Sequence, residues 1–153
     1  MLHAVLVALH ILAATIWVGG MFMAYVIVRP AMGGLEAPEP VKMWGRIFDK
    51  FFNWVWLAVA ILLIMGFWML LGPFGGFAGA PPYLHIMATL GLVMCAHVAH
   101  LYFAPYKRLR RALADQDFPT AAKQIPMIRK IVAVNLLIGL ANVAIGAGGR
   151  YFG

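Results

Sequence analysis

With 153 residues, 64% of them hydrophobic and only 11% charged, this chain is too apolar for a water-soluble domain, whose apolar share is about half. Twelve Lys and Arg stand against five Asp and Glu, but the basic residues gather in two loops beside apolar runs, where they orient a chain in a bilayer rather than bind nucleic acid. The single cysteine, Cys95, has no partner for a disulfide and makes no CxxC metal motif.

Four apolar stretches are long enough to cross roughly 30 Å of hydrocarbon at about 1.5 Å per residue. They run about Leu2 to Val28, Phe51 to Leu71, Tyr83 to Ala104 and Met127 to Ala147. The first has no Lys or Arg ahead of it and continues well beyond a signal-peptide core, so it reads as a retained helix. Arg29-Pro30 follows the first span, Gly72-Pro73 the second, Pro81-Pro82 precedes the third and Pro105 ends it. The loops 29–50 and 105–130 hold eleven of the twelve basic residues. The positive-inside bias puts both in the cytoplasm and both termini outside. Between helices three and four, Lys107 to Leu113 reads as a short interfacial helix and topology signal touching anionic lipid. The expectation is an all-α integral membrane four-helix bundle, one domain over 1–153, N-out/C-out, in the bacterial inner membrane.

Polar side chains inside hydrocarbon are costly, so each is a functional candidate. At 100° per residue, His3, His10, Trp17 and Met21 fall within about 20° of one direction on helix one. On helix three, His85, Thr89, Ala96 and His100 share a sector of about 60°, which predicts that they face the bundle and that Met87, Met94 and Leu101 face lipid or a neighbour. Asn135 and Asn142 share a face of helix four, and Asn53 aligns with Ala60, Ile64 and Leu71 on helix two. Counting from each helix midpoint puts His10, Asn142 and Thr89 roughly 6 to 7 Å outside the midplane and His85 roughly 13 Å.

Two histidines on facing helices of a bundle are the arrangement that holds a haem b. His10 and His85 fit it best, with His3 or His97 as replacements. The plainer alternative is that His10 meets Asn142 or a carbonyl and that His85 sits at the interface. His97 and His100, three apart, have a spacing at which two imidazoles share a metal, although snorkelling towards the basic loop explains them as well. The ten methionines are soft ligands suited to Cu(I), yet most serve as apolar filler. No Asp or Glu lies within the four predicted spans, so a carboxylate proton relay is not supported.

The run Leu9-His10-Ile11-Leu12-Ala13-Ala14-Thr15-Ile16-Trp17-Val18-Gly19-Gly20 resembles the first helix of the copper-resistance CopD family. It is also similar to the HemJ-type protoporphyrinogen oxidases of the same broad group, whose third helix opens with an aromatic and then Leu-His-x-Lys. Tyr83-Leu84-His85-Ile86-Met87 is similar, with Met87 where HemJ has its lysine. The HemJ resemblance implies haem b on His10 and His85, and Met87 puts protoporphyrinogen oxidation in doubt. The CopD resemblance implies copper handling at the outer face, with His3, His10 and His85 as nitrogen ligands.

The leading expectation is a haem b protein carrying out one-electron chemistry, a haem-dependent membrane oxidoreductase acting on a quinol or porphyrinogen. His10 and His85 are its axial ligands, Trp17, Thr89 and Asn142 surround them, and His3, Met87, His97 and His100 are weaker metal candidates. The alternative is copper binding or translocation of the CopD type. The partners this implies are the lipid bilayer, a hydrophobic redox substrate or quinone, and further copies in a homo-oligomer. Nucleic acid is not among them.

Overall fold

The computed structural model describes residues 1–151, with Arg150 described by its backbone alone. Four helices dominate: α1 Leu2–Gly34, α2 Glu39–Leu71, α3 Pro82–Ala114 and α4 Phe118–Gly148. There is no strand among the described residues. Proline stands in the first turn of α2, α3 and α4, where its missing N–H costs nothing and its fixed φ suits a helix. Each helix has 31 or 33 residues and a strongly apolar window. At about 1.5 Å per residue each outreaches the roughly 30 Å of hydrocarbon. Large apolar side chains point outward, among them Ile64 at 60%, Leu71 at 64% and Leu137 at 69% exposure. Lipid is the solvent that tolerates such a belt, and the chain is a multi-pass membrane protein.

The helices extend beyond the apolar runs, and for α2 the reason is legible. Val41, Gly45, Phe48 and Phe52 are buried at helical spacing, while Arg46 and Lys50 on the same helix stay exposed. An amphipathic stretch therefore continues the apolar one. Pro105 does not end the third helix, as expected from the sequence. The chain passes through a π-helical stretch, Tyr102–Tyr106, and goes on to Ala114. A π turn shifts the hydrogen-bond pattern and so absorbs the proline's missing donor. A second π stretch, Met23–Val28, carries α1 past Pro30. The segment expected at the lipid interface, Lys107 to Leu113, is helical, but its Leu109 is fully buried in protein.

α1 packs chiefly on α2 and α3 chiefly on α4, with α1 also meeting α4. Two cores result. One lies at mid-bundle around Trp17, Val55, Met94 and Leu136. The other, at the end bearing the basic loops, is built on Phe48, Phe52, Tyr106, Leu109 and Ile128. Its Phe52 and Tyr106 rings are 4.4 Å apart, and the Tyr106 hydroxyl donates to Asp49.

Two predicted inward faces are overturned. On α3, Met94 and Leu101 are buried at 3% and 4% exposure, whereas Thr89, Ala96 and His100 are exposed. On α2, Asn53, Ala60, Ile64 and Leu71 are exposed. The rule that polar residues face inward fails on α3 because a hydroxyl on a helix has a nearer partner: the Thr89 Oγ1 donates to the His85 carbonyl at 2.8 Å. Trp17, Met21 and Asn135 are buried as expected, and His10 and Asn142 are half-buried.

Candidate metal-handling site

Three helices meet closely at Gly139 of α4. A Cβ there would lie 2.9 Å from Val18 Cγ2 of α1 and 3.0 Å from Met94 Cε of α3. This crossing gives a depth marker. His10 is eight residues before Val18 and His85 nine before Met94, so both lie about 12 to 14 Å from it towards the end that carries the Gly72–Pro82 turn.

The two histidines share a depth but have different surroundings. The His10 ring lies on α2, where a Cβ at Gly66 would be 3.2 Å from its Cε1 and 3.6 Å from its Nδ1. That Nδ1 is buried without a hydrogen-bond partner. His85 turns to the connecting turn before its own helix, with Nε2 2.9 Å from the Phe77 carbonyl and Nδ1 3.3 Å from that of Pro81. The tautomer of a neutral ring decides which of the two carbonyls accepts its N–H. The Phe77 ring packs beside it at 5.6 Å.

A haem held between these residues does not fit the arrangement. An axial imidazole presents a nitrogen lone pair to iron, yet both His85 nitrogens face carbonyl oxygens and His10 lies against a helix backbone. A void of about 20 Å³ inside the bundle lies elsewhere, among Trp17, Met21, Phe52 and Asn135. Thr89 points away from the interior, so it does not support His10. His3 and His100 are exposed, and no cluster of three His, Cys, Asp or Glu able to hold a metal occurs among the described residues. The three-nitrogen set His3, His10 and His85 is therefore not assembled.

Asn142 extends its Nδ2 to the Met87 carbonyl at 3.3 Å and leaves a buried Oδ1 without a partner. Nearer the basic end, Asn135 links α3 to α1. Its Oδ1 is 3.3 Å from His97 Nδ1 and its Nδ2 3.8 Å from Met21 Sδ. His97 thus turns into the bundle rather than snorkelling to the loop. With Nδ1–H donating to Asn135, its Nε2 keeps the lone pair that a metal uses. Trp17, 2% exposed, has a buried Nε1 without an acceptor, and it lines the void together with Met21, Val55, Val98 and Asn135.

Met21, Met94 and Asn135 were not among the residues expected from the sequence to form the site. The signal was present in α4, where Asn135, Gly139, Asn142 and Gly146 repeat at spacings of four, three and four, the pattern of one continuous helix face.

No curated protein and no solved structure matches the chain. A sequence model of the family described as Copper resistance protein D matches residues 45–148. The matched region covers α3 and α4 entirely and most of α2, and it leaves His10 and the rest of α1 outside it. On these grounds the chain belongs to the copper resistance protein D family.

Proposed function

We propose that this protein binds copper inside its helical bundle and passes it across the membrane. The observation that carries the reading is the donor set. Within 51–71, 83–104 and 127–147, and along the apolar first helix, the soft and borderline metal ligands are imidazoles, thioethers and one thiol, and there is no carboxylate. Soft sulfur and borderline nitrogen suit Cu(I), whereas Mg(II) and Ca(II) require hard oxygen ligands. His10 is the first ligand offered at the turn-bearing end, because its Nδ1 is buried and has no hydrogen-bond partner.

The distribution of charge supports an orientation. Both basic loops lie at one end of the bundle, which is the cytoplasmic end by the positive-inside bias, in the inner membrane of a bacterium. Copper then enters or leaves the outer half beside His10. The test is reconstitution: purified protein in liposomes with a Cu(I) chelator inside, supplied with Cu(I) under ascorbate. Uptake above protein-free liposomes, with copper bound to the purified protein by elemental analysis, is the expected result. Protein that neither binds nor moves Cu(I), or that carries a reducible haem spectrum instead, would overturn the reading.

A further inference from the structure

We infer that copper(I) travels through the bundle on thioether sulfurs, handed along one face of α4 by Met21, Met94 and Met87. This inference rests on the copper reading above. The α4 face made by Asn135, Gly139, Asn142 and Gly146 places a methionine from another helix at three levels. Met21 Sδ of α1 meets Asn135. The Met94 methyl of α3 lies over Gly139 and the Met87 thioether over Gly146, where an added Cβ would be 3.0 Å from Cε and 3.3 Å from Sδ. Along α4 these levels are four and seven residues apart. That is about 6 and 10 Å, and together about half of the roughly 30 Å hydrocarbon.

Methionine on glycine is also how helices fill a close contact, so packing alone does not make a path. Two further features lie on the same column. Buried polar atoms normally have partners, yet the acceptor Asn142 Oδ1, in the wider gap between Met94 and Met87, has none. The void that Trp17 shares with Met21 is about 20 Å³, enough for one water or one small ion. A thioether binds Cu(I) without deprotonation, and its three rotatable bonds let the sulfur swing between neighbouring levels. Each step exchanges one neutral ligand for another. The ion enters and leaves as Cu(I), so no electron or proton is consumed.

The experiment combines two readouts on the full chain. Methyl-labelled methionine NMR in detergent, with Ag(I) as a redox-inert probe, reports which sulfurs bind. Cu(I) uptake into liposomes is compared for wild type, for the triple variant Met21→Leu, Met87→Leu, Met94→Leu, and for a control, Met43→Leu with Met127→Leu, whose side chains are 39% and 50% exposed. Leucine nearly conserves methionine's volume, and unchanged helical circular dichroism and a monodisperse elution profile establish that each variant folds. Should the triple variant be misfolded, the three single substitutions replace it. The expected result is that the methyls of Met21, Met87 and Met94 shift with Ag(I), and that the buried variant loses about tenfold or more in uptake while the control does not. Wild-type uptake with unshifted buried methyls, or with an equally active triple variant, overturns the thioether path and leaves the copper reading standing. Wild type that takes up no Cu(I) and binds no Ag(I) overturns both.

Discussion

Asn135 on α4 holds His97 on α3 through a 3.3 Å contact between Oδ1 and Nδ1, and the same amide reaches Met21 Sδ on α1. One side chain thus joins three helices in the interior of the bundle. Because Asn135 is 2% exposed, Asn135→Leu preserves bulk but leaves His97 Nδ1 without its acceptor. Interhelical hydrogen bonds in bilayers are worth about 0.6 kcal/mol on average and up to about 1.7 kcal/mol. The expected coupling between Asn135→Leu and His97→Phe in a double-mutant cycle lies in that range. Reversible unfolding in mixed micelles measures it, and additive effects would show that the pair does not interact.

The crossing at Gly139 makes a steric prediction. Gly139→Val drives a branched side chain into Val18 and Met94, at positions where a single Cβ would already sit 2.9 and 3.0 Å away. Overpacking of this kind costs about 1 to 3 kcal/mol. Gly19→Val on α1 is the matched comparison, because nothing lies within 4 Å of a Cβ there. Thermal denaturation in detergent should lower the midpoint for Gly139→Val and leave that of Gly19→Val near wild type.

The contrast between these glycines shows what the sequence could and could not disclose. Four spans, their order and the gathering of charge in two loops were legible, because hydrophobicity and Lys/Arg placement are local properties. The inward face of α4 was legible too, because Asn135 and Asn142 lie deep within their span, whereas Asn53, at the basic end of the α2 span, is exposed. The inward face of α3 was not. His85 and Thr89 satisfy themselves on backbone carbonyls of their own neighbourhood, so polarity pointed the wrong way and Met94 and Leu101 took the core. Helix continuation through Pro105 was hidden as well, because a proline in sequence marks a missing donor without telling whether a π turn will accommodate it.

His10 and His85 should separate when each is replaced. On the reading proposed above, His10→Ala removes the unpaired nitrogen and lowers Cu(I) bound per protein by about tenfold. His85→Ala removes the side chain that holds the Phe77 and Pro81 carbonyls, so it loosens the 72–81 turn, seen as faster proteolysis there, with copper content close to wild type. Elemental analysis with limited proteolysis distinguishes the two. Equal loss of copper in both variants would restore a joint role for the histidines.

A pH dependence is built into the start of α4, outside the membrane. Asp117 caps that helix by accepting from the Thr120 N–H at 3.0 Å, and hydrogen bonds from Thr120, side chain first and backbone next, hold its carboxyl below the ordinary aspartate range, with Lys123 adding a smaller pull. A carboxyl lowered on folding stabilises the folded state at pH values above its unfolded pKa. That contribution is lost as pH falls through the folded value, because protonation weakens the acceptor. The Thr120 amide ¹⁵N shift should therefore titrate with a midpoint below the ordinary aspartate value. Asp117→Asn keeps a capping oxygen but has no proton to gain, so in that variant the titration should vanish while the first turn of α4 stays folded. A midpoint at or above the ordinary aspartate value would mean that Asp117 does not cap α4 in solution.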